Sequence, residues 1–483
     1  MLSRIGQTKR HLGTALAASA AALMGMATAS VGYAADPDRS VGAIATASPI
    51  KHVVIIVGEN RSFDHVFATY QPKAKGESVL NLLSEGIVNA DGTPGPHFLR
   101  GHQSQIVAPP NSRRYFISAD AAQKQLYATL PPPDLAGTPA VSALSFILSI
   151  PGGDPGLPPQ DQFLFGTGGT GLSVTLGPDT RITNVNNLPP GPFQMTGPTM
   201  PYDAFTGDTI HQLFQMWQQV DCAVDKEHVS RGNPTGCLHD LQSAVTTTYA
   251  TAAGQVPHDT GQTMAFFNVQ QGDAPLFKRL ADQFTMSDNY HQPVMGGTGP
   301  DSVPLGFADQ VFFGDGNGNP ATPPASLIYD PDPKPGTLNL YTQRAQWFNC
   351  SDTTAPGVAA IVDYLNALPY EVSANCDPNH YYPAVNINPA FNPNGTPTGG
   401  TVIPAVTMRS IGDALNDKGI PWKYYGGGYN ASVAGNPVNG YCNICNPFEH
   451  QANYPTLRAD HMRDVTDLFT DLANGTLPAV SYV

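Results

Sequence analysis

The run Val53-Val54-Ile55-Ile56-Val57 limits the folds open to this chain more than any other feature. β-Branched side chains pack well on a pleated surface, and an unbroken apolar run reads as a central parallel strand buried on both faces. Gly58 follows it, and Phe63, Val66, Phe67 and Tyr70 then recur at helical spacing. The same alternation returns at the other end of the sequence. Ile411 to Lys418 reads as a helix closed by Gly419, and Trp422 to Tyr425 reads as a strand. Asp464 to Leu472 reads as a helix closed near Gly475, and Pro478 to Val483 as a last strand. Strands alternating with helices predict an α/β fold with a parallel sheet covered on both sides.

The middle of the sequence is less regular. Residues 90–205 include Pro131-Pro132-Pro133 and Pro151-Gly152-Gly153, which packed elements tolerate poorly, so loops and insertions are expected there. Ile210, Leu213, Phe214 and Trp217 mark an amphipathic helix with Asp208 or Thr209 as its cap. Asp273-Ala274-Pro275 starts another, with Leu276, Leu280 and Phe284 along one face. The stretch Phe284 to Tyr290 reads as a strand leading into the glycine-rich turn Met295-Gly296-Gly297-Thr298-Gly299-Pro300. Residues 315–337 and 386–401 are rich in Gly, Pro and Asn and read as exposed. No internal repeat is evident.

Composition agrees with a large globular chain. Of 483 residues 41% are hydrophobic, enough for a sizeable core, and only 13% are charged. The net charge of −14 argues against a basic groove for a nucleic-acid backbone. An anionic substrate must therefore be drawn in by a local positive charge, such as a metal ion or a helix N-terminus.

The first residues predict a signal peptide over 1–34. Arg4, Lys9 and Arg10 precede the apolar stretch Leu12 to Met26, and Gly32-Tyr33-Ala34 offers the small residues a signal peptidase reads. A mature domain over 35–483, exported to the periplasm or beyond, is expected. No other stretch is long and apolar enough to span a bilayer. Six cysteines fit an oxidising compartment. Neighbours in sequence suggest the pairs Cys222–Cys237, Cys350–Cys376 and Cys442–Cys445, with other pairings open. The Cys442-x-x-Cys445 spacing also invites zinc or redox readings, but no second CxxC and no thioredoxin-like pattern accompany it.

In a parallel sheet, ligands bind beyond the carboxyl ends of the strands. Glu59 and Asn60 follow the first strand, and their oxygens are hard donors suited to a divalent cation. An ordinary turn and helix cap explains the same two residues. The whole run Glu59-Asn60-Arg61-Ser62-Phe63-Asp64-His65 resembles the opening motif of the bacterial phosphoesterase family of phospholipases C and acid phosphatases. The resemblance continues through Asp208-Thr209-Ile210-His211, His291 to Gly299, Gly419 to Tyr425 and Leu477 to Val483.

The resemblance implies an alkaline-phosphatase-like α/β fold: a central, mostly parallel sheet with helices on both faces and long loop insertions. It implies a divalent metal held by Glu59, Asn60 and Thr298, with Thr298 as nucleophile. His211 would serve a phosphate oxygen or the leaving group, and His291, His380 and Asp301 would lie near the substrate. The substrate would be a phosphomonoester or a phospholipid head group. Two departures stand out. The family usually has Asn where this chain has Asp301, whose carboxylate would repel a phosphate dianion. Family members also continue past the strand matching Pro478–Val483 to an acidic pair that completes the metal site, whereas this sequence stops at Val483. A fold missing its C-terminal part, and an inactive family member or fragment, is therefore the alternative expectation.

Overall fold

The computed structural model describes residues 46–58, 61–109, 112–131, 183–200, 210–252, 264–328, 338, 346–372, 376–435 and 441–483. The expected signal peptide lies outside the described residues, as do Glu59, Asn60, Asp208 and Thr209. The strands are β1 (Val53–Ile55), β2 (Ser104–Ile106), β3 (Lys124–Leu126), β4 (Phe193–Gln194), β5 (Ala265–Phe266), β6 (Trp347–Phe348), β7 (Tyr382–Pro383), β8 (Trp422–Gly426), β9 (Met462–Asp464) and β10 (Val480–Tyr482). The helices are α1 (Phe63–Phe67), α2 (Leu213–Val220), α3 (Gln242–Ala252), α4 (Pro275–Gln283), α5 (Thr298–Phe307), α6 (Pro356–Ala367), α7 (Ile411–Asp417), α8 (Tyr429–Val433), α9 (Tyr454–His461) and α10 (Val465–Asn474).

The molecule is a mixed α/β structure, and its large sheet is parallel throughout, in the order β1-β10-β8-β9. At β8 the two-residue period of a strand sorts the side chains onto two covered faces. Trp422 and Tyr424 pack with Leu415 of α7 and Tyr454 and Leu457 of α9. Tyr425 packs with Val465 and Leu468 of α10. Local sequence starts and stops these helices. Ser410 and Asp413 form a reciprocal cap on α7, and Asp464 and Asp467 do the same for α10. Gly475 then ends α10 at φ +68°, a backbone conformation that side chains with a Cβ resist.

Four readings change. The run Val53–Val57 is not central among the described strands: β1 is at an edge of the sheet they form, and Val53, Val54 and Ile56 are 49%, 43% and 76% exposed. Its one ladder, to β10, satisfies alternate amides, and no described strand pairs with its other side. The sequence signals strand propensity there, but propensity says nothing about which neighbour arrives. Phe284 to Tyr290 forms no strand. Phe284 and Tyr290 are exposed, and Asp288 ties the segment to the loop at Leu80, accepting that amide at 2.6 Å. Helix α4 starts at Pro275 as expected, yet none of its residues is buried. Helix α2 starts at Leu213 after Gln212, which makes no side-chain cap.

One small motif does recur. Asn89 to Pro94 and Asn392 to Pro397 are turns of the same build. In each, the Asn Nδ2 donates to a Thr Oγ1, and the Thr amide donates to Asp91 or Asn394. All three disulfides expected from neighbouring cysteines are present, Cys222–Cys237, Cys350–Cys376 and Cys442–Cys445. No helix among the described residues is long and apolar enough to cross a membrane.

The segment 441–450 joins the sheet to α5. Tyr441 lies against Gly426 at the carboxyl end of β8, where a Cβ would sit 2.6 Å from the Tyr441 ring. Its hydroxyl donates to Glu449 Oε1, and the Tyr454 hydroxyl donates to the same oxygen at 3.1 Å. Burial pushes the Glu449 carboxyl up to about 8, against the two tyrosine donors that favour its charged form. The folded value lies above the ordinary 4.5, so folding favours the protonated acid. Its stabilising contribution is therefore full below pH 4.5 and lost as pH rises through about 8. Each unit of displacement corresponds to about 1.4 kcal/mol. Thermal denaturation between pH 5 and 9 should show a falling midpoint, and Glu449→Gln should flatten that fall and exceed the parent chain at the alkaline end.

Candidate active site

Helix α5 begins at Thr298, which is half-buried, directly behind the Gly296-Gly297 turn. Gly297 is demanded by its surroundings. A Cβ there would stand 2.3 Å from Oδ1 and 3.0 Å from Nδ2 of Asn386, which follows β7 in the chain. Asn386 Oδ1 accepts the Gly299 amide at 2.9 Å, so the side chain caps the first turn of α5 from outside the helix. Gly306 is demanded as well. A Cβ there would meet Pro447 Cβ at 2.7 Å and Cγ at 3.0 Å, so α5 lies flush on the Pro447–Phe448 turn.

Pro304 sits inside α5, where it cannot donate to the Pro300 carbonyl. Gln310 Nε2 donates to that carbonyl at 2.8 Å instead, and the helix runs on to Phe307. Asp301 turns back toward the preceding loop, its Oδ1 accepting the Val294 amide at 3.3 Å. A carboxylate in the first turn also complements the helix dipole.

The other residues singled out from sequence are dispersed around this turn. His211 is exposed just before α2. Its neighbour Ile210 and Met295 of the glycine turn pack on one apolar cluster that includes Ala384 and Val385. The Leu213 amide donates to Ala384 at 2.9 Å, tying the start of α2 to the strand end that carries Asn386. His291 is exposed, with Nε2 2.8 Å from Asn289 Oδ1. His380 packs edge-on to Phe312, with ring centroids 4.5 Å apart, and its Nδ1 lies 3.2 Å from the Pro378 carbonyl. Glu59 and Asn60 lie outside the described residues; the neighbouring motif residue Ser62 caps α1, accepting the His65 amide. Asp64 accepts the Leu82 amide, and burial raises its carboxyl to about 6. Asn386 was missed by sequence reasoning, because a lone Asn in a Pro- and Asn-rich stretch carries no signal of its distant partner.

A second group carries metal-ligand types. Donor atoms of Asp225, Glu227 and His228 lie within 4.8 Å of one another. The Asp225 carboxylate is already engaged. It accepts the amides of Glu227 and His228, each at 3.1 Å, takes His228 Nδ1 at 2.7 Å, and pairs with Arg114. Burial opposes a charged His228, but Asp221 and Asp225 together raise its pKa above 6.5. A cation would have to displace the Arg114 guanidinium, so this group fits a charge knot on the Cys222–Cys237 hairpin and not a metal seat.

A model of the Phosphoesterase family matches residues 172–483, and the chain belongs to that family. Membership places it among hydrolases of phosphoric esters, a family that is typically metal-dependent. The matched span contains Thr298, His211, His291, His380, Asp301 and Asn386 and starts after the Glu59–His65 motif. A search of the curated proteins found no match.

The two demanded glycines should respond differently. Gly306→Ala meets a rigid proline ring and should cost about 1–3 kcal/mol through overpacking. Gly297→Ala needs only the Asn386 amide to swing away and should cost about 1 kcal/mol, the net worth of the hydrogen bond lost. Chemical denaturation of both variants checks the order, Gly306→Ala being the less stable.

Proposed function

We propose that this chain hydrolyses phosphate esters, either phosphomonoesters or phospholipid head-group esters, using Thr298 as nucleophile. The observation that carries the reading is the position of Thr298: first residue of α5, half-buried, and inside the span matched by the family. Its hydroxyl oxygen would attack phosphorus in line with the leaving oxygen, giving a phosphothreonine that water then hydrolyses. His211 would protonate the departing alkoxide; the docking of α2 on Ala384 supports this by tying its helix to the Asn386 segment. His291 and His380 are further candidates for the substrate's surroundings. When bound, a divalent cation held by the hard oxygens of Glu59, Asn60 and Thr298 would stabilise the alkoxide and the charge on the transferring group. The three disulfides support an exported, periplasmic or secreted setting.

One observation favours a second reading, a family member that binds phosphate without turning it over. Asp301 places a carboxylate in the same helical turn as Thr298, and its charge opposes a phosphate dianion.

Turnover of p-nitrophenyl phosphate with manganese, calcium or zinc separates the two. Thr298→Ala should lower kcat by about 100-fold or more, since the covalent route is lost, and Asp301→Asn should lower KM severalfold by removing a like charge. Turnover untouched by Thr298→Ala would sink the nucleophile assignment. Absence of turnover with every metal, together with retained phosphate binding, would establish the second reading.

A further inference from the structure

We propose that Asn386 is a substrate-binding residue of this site, its Oδ1 holding the first turn of α5 while its Nδ2 donates to the phosphoryl oxygens of the ester; this rests on the reading of Thr298 as nucleophile. A helix N-terminus ordinarily offers four unpaired amides to an anion. Here half of them are unavailable. Of the amides of Gly297, Thr298, Gly299 and Pro300, Pro300 has no N–H and the Gly299 amide is taken by Asn386. Among the described residues, that leaves the Gly297 and Thr298 amides without a partner. A phosphoryl group at Thr298 has three oxygens to satisfy, more than these two amides serve, so side-chain donors are needed as well.

Asn386 is built to be one. A backbone N–H can be met only by the carboxamide oxygen, so the bond to Gly299 fixes which end of the amide faces the helix. The two Nδ2 protons are then left to donate, and they have no acceptor among the described residues. The side chain is half-buried, and its carboxamide lies against Gly297, the residue that leads directly into Thr298. No larger residue fits at 297 while the amide stays in place. A neutral donor also suits this turn, because it binds the anion without forming an ion pair with Asp301.

The test compares the full-length chain with Asn386→Asp, Asn386→Ala and Thr298→Ala, using p-nitrophenyl phosphate across pH and thermal denaturation. Asn386→Asp keeps the acceptor for Gly299 and removes both donors. It should melt within a degree or two of the parent and lose about tenfold or more in kcat/KM at neutral pH, the loss lying mainly in KM if the donor serves ground-state binding. Lowering the pH protonates the new carboxyl, restores a donor, and should recover part of that loss relative to the parent chain. Asn386→Ala should lose at least as much activity and also melt lower, with no recovery in acid. If Thr298→Ala abolishes turnover but Asn386→Asp retains parental kcat/KM, the role of Asn386 is overturned and the nucleophile assignment stands. If Asn386→Asp loses activity only in proportion to a lowered melting point, its role is purely structural and the proposal fails. Turnover unaffected by Thr298→Ala overturns both.

Discussion

The geometry of this molecule around Thr298 depends on how closely α5 can approach the Pro447–Phe448 turn. Gly306 permits that approach, because any side chain there would collide with the proline ring. The turn is in turn fixed by what surrounds it. Phe448 packs on Trp422 of β8 with ring centroids 4.6 Å apart, and Glu449 holds the hydroxyls of Tyr441 and Tyr454. Tyr441 closes the circuit by lying against Gly426 at the carboxyl end of the same strand. A relay of close contacts therefore runs from the parallel sheet to Gly306, near the end of α5. Packed interiors transmit small shifts, so a disturbance at Glu449 or Gly306 reaches Thr298 through displacement of the helix that carries it.

Much of the fold was legible because its signals are local. The caps at Ser410 and Asp464, the stop at Gly475 and the alternation along Trp422–Tyr425 each act within a few residues, and each element stands close to where the sequence puts it. The disulfides were legible for the same reason, since each cysteine pairs with a neighbour in sequence. What failed was what depends on distant partners. The apolar run at Val53 reads as a buried strand, yet its exposure is set by which strands pair with it. The extended stretch after Phe284 has no ladder partner among the described residues, and strand propensity alone cannot hold a segment in a sheet.

The site divides along the same line. The glycine turn from Met295 to Pro300 was readable in the sequence. The cap at Gly299 was not, because the donor and acceptor are 87 residues apart. Pro304 shows a related limit. By propensity it should end α5, but Gln310 from beyond the helix satisfies the carbonyl it orphans, so tertiary context overrides the local rule.

Charge is handled internally before any substrate arrives. Lys423 and Lys124 are both largely buried, the first pairing with Asp471 at 3.0 Å and the second with Asp221 at 2.6 Å. Their fields are spent on neighbouring carboxylates and lend little to an anion elsewhere. Asp301 helps folding twice, by accepting the Val294 amide and by complementing the helix dipole, and both benefits place negative charge in the first turn of α5. Asn386 meets a comparable demand, an unpaired helix amide, with a neutral group that keeps donors in reserve. The same turn thus contains two solutions to amide satisfaction. The carboxamide adds no charge to the turn, so on the proposed reading the balance between positions 301 and 386 would set how strongly this helix start holds a phosphate.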